Sequence, residues 1–428
     1  MRLNEWRARI SKSRIALLGA GLLLAGNIFF AGAQWLLISY LARVHGVKAL
    51  GEYSLALAIL APFYSITYYG LRSMLARDAR ELLNVEELLR LRLCIFFVAS
   101  AFFWILVWVM GWDFGAVEVI AFVYFAKFIE SISDICYGAM YRSGRPQFHG
   151  LSLLLRATSA VFLVYAVAAF NYEKIEAIFF SIIASWAAVL LLHDIYVARI
   201  ELRNVLRPLS MSELHRFKGL LLTGVPLVFS AVIGAMLFNI PNYALGYFQG
   251  SEAVGLYASM FSFSIFLNLI AITVGQAALP GLAAAFVKGN RSEFNFTLIV
   301  CVGFVAALSI FAVLVGYFAG MPILQFAFGS SISAQAPIFP IILLMSAPFL
   351  VAQILSYAVT ALGNYGALAK VNVFATAVAA VAAAPLVIRF SVLGAGGVVL
   401  LTGGVQVIGY WLVLRRISVN NELTGDAI

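Results

Sequence analysis

Gly46-Val-Lys-Ala-Leu-Gly-Glu-Tyr53 and Gly250-Ser-Glu-Ala-Val-Gly-Leu-Tyr257 share the pattern G-x-x-A-[LV]-G-x-Y, the second copy starting 204 positions after the first. Each copy follows one long apolar block and opens another. Further along, Gly111 answers Gly329 at an offset of 218, and Ala139 and Gly144 answer Ala358 and Gly363 at 219. Three matches in one order, at the same places in two series of apolar blocks, mark an internal repeat. Six blocks per half is an even number, so both copies enter a membrane in the same direction. The repeat is therefore parallel, about an axis along the membrane normal.

The blocks around the motifs dominate the chain. Of 428 residues, 63% are hydrophobic and 11% charged, with a mean hydropathy of +1.00; soluble domains carry roughly 25% charge. Apolar blocks recur from Ile15 to Leu414, each long enough for the ~20 residues a bilayer span needs. Spans are expected near 15–41, 50–75, 92–111, 116–141, 150–170, 175–198, 218–246, 254–287, 294–319, 337–361, 368–389 and 394–414. The eighth exceeds what a span needs and should tilt or extend past the membrane. The first block is too long for the apolar region of a signal peptide and should remain as a span. The expected fold is an all-α polytopic membrane protein of about twelve helices. Two parallel six-helix lobes, residues 1–208 and 209–428, would surround a central cavity, the architecture of alternating-access transporters.

Net charge is +9, but the basic residues sit between apolar blocks, which encodes topology and argues against nucleic acid. One set of span ends holds 22 of the 28 Lys and Arg residues, and the opposite set holds Arg43, Lys48, Lys174 and Arg389. That split places both termini in the cytoplasm. The link Arg77–Arg92 mixes charges with leucines, suggesting a short interfacial helix. His45, His149, His193 and His215 lie near span ends, which favours solvated or interfacial roles. Cys94, Cys136 and Cys301 offer no metal spacing.

Charges inside a span are costly and need a reason. Span 4 carries Lys127, Glu130 and Asp134 within an arc of about 60°, on one helix face. Arg156 lies in span 5 at a depth similar to that of Asp134, roughly 10 Å from the span end. These two helices are sequential and antiparallel, so an Asp134–Arg156 contact is expected. Arg72 lies close to the end of span 2. The second half carries neutral polar residues instead: Asn239, Asn242, Asn268, Gln276, Gln353, Asn372 and Gln406. Gly26 in span 1 and Pro226 and Pro241 in span 7 are candidate hinges.

Several stretches together resemble the Wzx-type oligosaccharide flippases, polysaccharide transporters of the multidrug/oligosaccharidyl-lipid/polysaccharide superfamily. They are Asn27 and Gln34, the run Leu41–Ser54, Tyr69-Gly-Leu-Arg72, Met140-Tyr-Arg-Ser-Gly-Arg145, Gly255-Leu-Tyr257, Gln325–Gly329 and Ala361-Leu-Gly-Asn364. The resemblance implies movement of an undecaprenyl-pyrophosphate-linked oligosaccharide, such as an O-antigen, capsule or exopolysaccharide repeat unit, to the outer leaflet. Arg72, Lys127 and Arg156 would then contact the substrate, Arg suiting phosphate through its planar fork. Glu130 and Asp134 would line the cavity, with Glu130 a candidate for coupling to an H⁺ or Na⁺ gradient. Partners would be the lipid-linked substrate, membrane lipids, and the polymerase and export machinery of the same pathway. A multidrug/cation antiporter of the same superfamily is the main alternative. A membrane polysaccharide polymerase is a further one, although such enzymes usually carry a large outer loop. No Walker P-loop or HExxH motif occurs, and neither a cofactor nor enzymatic activity is expected.

Overall fold

The computed structural model describes residues 2–78, 83–110, 114–170, 174–205, 207 and 211–423, without certain helical side chains, chiefly those of 2–18. Every regular element among them is helical. In chain order these are α1 (Arg2–Val44), α2 (Gly46–Tyr68), α3 (Leu71–Arg77), α4 (Val85–Met110), α5 (Phe114–Arg142), α6 (Pro146–Ala169) and α7 (Ile175–Val189). A π turn, Leu190–Asp194, continues α7 into α8 (Ile195–Val197). Then come α9 (Leu202–Val205), α10 (Met211–Phe248), α11 (Ser251–Val287), α12 (Arg291–Phe328), α13 (Ser330–Ser333), α14 (Phe339–Ala361) and α15 (Tyr365–Leu423).

Among the described residues, ten segments are long and apolar enough to cross a bilayer. Two further features bring the passes to twelve. The 29-residue α5 has the length of a span, with Lys127, Glu130 and Asp134 lowering its hydropathy. Tyr365–Arg416 counts once among the ten, but its helix breaks at Ser391, where φ is 48°. The expected eighth span is α11, whose 37 residues make it about 55 Å long, well beyond a ~30 Å hydrocarbon core.

The expected interfacial helix over Arg77–Arg92 does not form as one element. α3 ends at Arg77 and α4 opens at Val85. Asn84 starts α4, its Oδ1 accepting from the backbone N–H groups of Glu86 (2.8 Å) and Glu87 (3.2 Å). Those carboxylates sit in the first turn, where the helix dipole favours them.

The repeat is visible in the backbone. Gly46 and Gly250 have φ of 87° and 84°. α5 ends with Ser143 N–H bonding Ala139 O (3.0 Å), Gly144 N–H bonding Tyr141 O (3.0 Å) and Arg145 N–H bonding Met140 O (2.8 Å). At the end of α14, Leu362 bonds Ala358 (3.3 Å), Gly363 bonds Thr360 (2.9 Å) and Asn364 bonds Val359 (3.4 Å). Both glycines are left-handed, with φ of 67° and 70°, and each closes its helix with a six-residue Schellman loop. Gly111, the counterpart of Gly329, lies outside the described residues.

The chain forms two compact units, Met1–Ile38 with Leu60–Val232 and Ser39–Ile59 with Ile233–Ile428. Within the second, the two opening motifs lie against each other. A Cβ at Gly51 would overlap the carbonyl oxygen of Ser251, and one at Gly255 would overlap that of Val47. Val47 and Ser251 are themselves repeat equivalents. The contact is therefore reciprocal, like the patch at a two-fold dimer axis. In the same unit Ser39 donates to Ala327 O, and Arg43 donates to the carbonyls of Gln325 (3.1 Å), Phe326 and Ala327 (3.3 Å). Arg43 thus caps the carbonyl end of α12, where a cation meets the negative end of the helix dipole.

In the first unit α1 runs unbroken through Gly26. A Cβ there would overlap the carbonyl oxygen of Gly150, and one at Gly150 would overlap that of Leu22. Gly26 therefore sits where α1 and α6 approach closely. Pro241 is buried within the continuous helix α10. The side chain of Pro226 lies outside the described residues.

Candidate functional site: a charged cluster in the first unit

The cluster begins with a break in the chain. α2 ends at Tyr68, and the next two residues, Tyr69 and Gly70, are left-handed with φ of 46° and 65°. For a tyrosine that conformation is strained. Its side chain is held in place: the hydroxyl donates to Leu221 O on α10 (2.6 Å), and the ring lies where a Cβ on Gly224 would have to be. The turn sends α3 off in a new direction and brings Arg72 to α5. Arg72 thus lies on the short helix that carries the second span, Gly46–Ala76, to its end past the break.

Asp134 on α5 receives two arginines. Arg72 Nη1 lies 3.2 Å from Oδ1, and Arg92 Nη2 lies 2.9 Å from Oδ2. The two differ in access, Arg72 being 46% exposed and Arg92 0%. Arg92 also donates to Ser131 O (3.3 Å), Ser131 Oγ (3.2 Å) and Tyr68 O (2.8 Å), and lies 5.2 Å from the Tyr68 ring centroid. The Tyr68 carbonyl is one the broken α2 helix leaves without a partner of its own. Arg92 therefore joins α2, α4 and α5 at one point.

Two turns and one turn earlier on α5, Lys127 and Glu130 pair with Nζ 2.7 Å from Oε2, both about a quarter exposed. Arg156 does not reach Asp134. It pairs with Asp194 Oδ2 (3.0 Å), donates to Ser133 Oγ, and lies over the rings of Trp186 (5.6 Å) and Tyr137 (6.0 Å). Ser133 and Asp134 are consecutive and point about 100° apart on a helix. The α6 face that meets Ser133 therefore does not meet Asp134. Both members of the Arg156–Asp194 pair are buried.

Two histidines expected near water pack into the cluster, His149 buried and His193 partly buried. His149 stacks on Tyr137 with centroids 3.8 Å apart, and its Nδ1 is 2.9 Å from the Tyr141 hydroxyl. His193 Nδ1 lies 2.9 Å from Asp194 Oδ1. The side chain of His215 lies outside the described residues. Around the cluster, Arg90 forks onto Glu213 (2.5 and 3.3 Å), Arg142 meets Asp78 (3.5 Å), and Arg216 meets Glu87 (3.0 Å).

Sequence reasoning missed Arg92, Asp194 and His193 as members of the cluster. Counted together, Arg72, Arg92, Lys127 and Arg156 face Glu130, Asp134 and Asp194. Four cations meet three carboxylates, and the most exposed of the seven is the cation Arg72. Buried pairs of this kind offset the cost of charge in an apolar setting only while both partners remain. An anion arriving at Arg72 would meet a guanidinium that shares its carboxylate with a second arginine. In the second unit, by contrast, Asn268, Gln353, Asn372 and Gln406 line one uncharged cavity.

Residues 16–286 match the family model described as polysaccharide biosynthesis protein. The chain is 22% identical over 392 residues to the capsular polysaccharide biosynthesis protein CapF of Staphylococcus aureus, covering 91% of this chain and 97% of that one. Its fold is similar to the lipid II flippase MurJ in an inward closed conformation, with a TM-score of 0.71 and 12% identity over 93% of this chain and 87% of that one. It is also similar to an inward-facing multidrug resistance MATE family transporter of the MOP superfamily, with a TM-score of 0.70 and 14% identity over 96% and 99%. At such identities these two likenesses concern the fold alone.

Proposed function

The chain belongs to the polysaccharide biosynthesis protein family, and from that premise we propose that it is a flippase for an undecaprenyl-diphosphate-linked oligosaccharide. The substrate would move from the cytoplasmic to the outer leaflet by alternating access, with no chemical step performed on it. The observation that carries this reading is the cationic excess in the first unit, exposed at Arg72. A diphosphate whose lipid tail stays in the bilayer needs a counter-charge at membrane depth. Arg72 supplies a planar fork for two phosphate oxygens, and Asp134 stays neutralised by Arg92 when Arg72 turns to the substrate. Lys127 supplies the second cation, with Glu130 holding its ammonium while no anion is bound. Protonation of Glu130 would release Lys127 and link the cycle to a proton gradient. Arg156, enclosed against Asp194, acts in this scheme as a positioning residue for α5, α6 and the π turn.

Reconstituted vesicles test the reading. Arg72→Gln and Lys127→Gln should each insert normally and lower flipping of an undecaprenyl-diphosphate oligosaccharide about 10- to 100-fold, the range a lost charge-assisted hydrogen bond supplies. Lys127→Arg should keep partial activity. Wild-type rates in both glutamine variants would remove the cluster from the substrate path. Efflux of a cationic dye, with no movement of the lipid, would instead favour an antiporter.

The same reading puts the protein in a bacterial inner membrane with both termini in the cytoplasm, an orientation that the 22-to-4 basic asymmetry supports. Single cysteines near positions 145, 290 and 365, in a background lacking Cys94, Cys136 and Cys301, should resist an impermeant maleimide applied from outside. Labelling at any of the three in intact cells would invert the orientation.

A further inference from the structure

We propose that the second unit holds a separate, uncharged site that recognises a sugar ring of the substrate through its hydroxyl groups; the inference rests on the flippase reading above. The site is a cavity of about 280 Å³, near the lower end of small-molecule pockets. Gln353 lies eight residues before the end of α14, and Asn372 lies seven after the start of α15. The cavity therefore sits about 10–12 Å in from those helix ends.

Its polar groups are amides and hydroxyls. Asn372 Oδ1 accepts from Gln406 Nε2 (2.9 Å) and from the Tyr410 hydroxyl (2.7 Å). That leaves Gln406 Oε1, on a side chain 4% exposed, buried with no partner among the described residues. Asn268 Oδ1 is also buried and without a partner. Two orphaned oxygens on one small cavity at membrane depth are an unusual expense of hydrogen-bonding capacity unless a donor arrives to meet them. Each amide offers a donor end and an acceptor end, which suits a hydroxyl group in either role.

The lining also decides against other ligands. No Lys, Arg, His, Asp or Glu is among the described residues of the cavity wall. A phosphate would find no counter-charge, and a cation would find no carboxylate to offset its dehydration. Neutral hydroxyls need neither. Phe238 and Phe349, with ring centroids 6.1 Å apart, give the wall an apolar face for the C–H side of a sugar ring. A site built to bond hydroxyls discriminates strongly against ligands that lack them.

The test uses the full chain in nanodiscs with two kinds of probe. One is undecaprenyl diphosphate; the other is the same lipid carrying one hexose or N-acetylhexosamine, run as a panel. At least one glycosylated lipid should bind about 10- to 30-fold more tightly than the bare lipid, as one or two net hydrogen bonds would give. Asn268→Leu and Gln406→Leu should each erase that preference and leave the affinity for bare lipid unchanged. If bare lipid binds and no sugar improves it, or if the preference survives both substitutions, the inference fails while the flippase reading stands. If bare lipid does not bind, the flippase reading fails. Stabilisation by Na⁺ that both substitutions abolish, without a sugar preference, would assign the cavity to a cation and overturn the proposal. Should Gln406→Leu not fold, Asn268→Leu provides the decisive comparison, since its amide oxygen has no described partner to lose.

Discussion

Arg156→Ala is expected to destabilise the protein by about 3–5 kcal/mol, the usual cost of stranding one member of a buried ion pair. The substitution leaves Asp194 fully enclosed beside His193, with no cation on its Oδ2 side. It also removes the donor to Ser133 and the guanidinium that fills the space between Tyr137 and Trp186. Asp194→Ala should be comparably severe, because it strands Arg156. The double change Arg156→Leu with Asp194→Leu should recover most of the loss, since apolar groups of similar volume need no partner. Melting followed by size-exclusion chromatography in detergent gives the readout. A drop of about 3–6 °C is expected for each single alanine variant, since a chain of 428 residues loses roughly 1 °C per kcal/mol. Equal losses in the double leucine variant would mean that the pair does more than neutralise itself.

Gly51→Ala and Gly255→Ala should each reduce transport to below about a tenth of wild type, with overpacking of 1–3 kcal/mol or more at the contact. At both positions the new methyl group meets a backbone carbonyl, Ser251 O or Val47 O. A backbone atom cannot turn aside as a side chain can, so α2 and α11 must separate. Gly281→Ala and Gly303→Ala are the controls. Both glycines lie in long helices with open space where a Cβ would stand, and both variants should transport normally. Normal transport in the Gly51 and Gly255 variants would show that the close approach of the two motifs is not needed for the cycle.

The spans were legible because each is a long apolar run, and because the repeat fixed their order. The charged cluster was only partly legible. Lys127, Glu130 and Asp134 could be placed on one face by spacing alone. Their partners could not, because pairing across helices depends on which faces meet. Asp134 was expected to find Arg156, one helix away, yet the left-handed break at Tyr69 and Gly70 delivers Arg72 instead. Arg92 looked like a residue at a span boundary because Arg90, Glu86 and Glu87 surround it. The signal that places it deeper was present in Asn84-Val-Glu-Glu87, a helix start. With α4 beginning at Val85, Arg92 lies seven residues in, about 10 Å along the axis. Asp194 left a weaker trace, a lone carboxylate near the end of an apolar run. In the second half the neutral amides were visible one by one, but not that four of them border the same cavity.

The π turn at Leu190–Asp194 bears on how the chain should be compared with its relatives. Such a turn holds one residue more than an α-helix of the same length. Deleting one residue there would restore regular winding and rotate everything that follows by about 100°. His193 and Asp194 would swing together away from Arg156. A gap in this family's alignments thus belongs inside the sixth span, between 189 and 195, rather than in the loop beyond it. Descendants that have lost that one position should also have lost the arginine of α6, since without its carboxylate the arginine would be a buried and uncompensated charge. The inserted residue and the ion pair would then be inherited, or discarded, as one character.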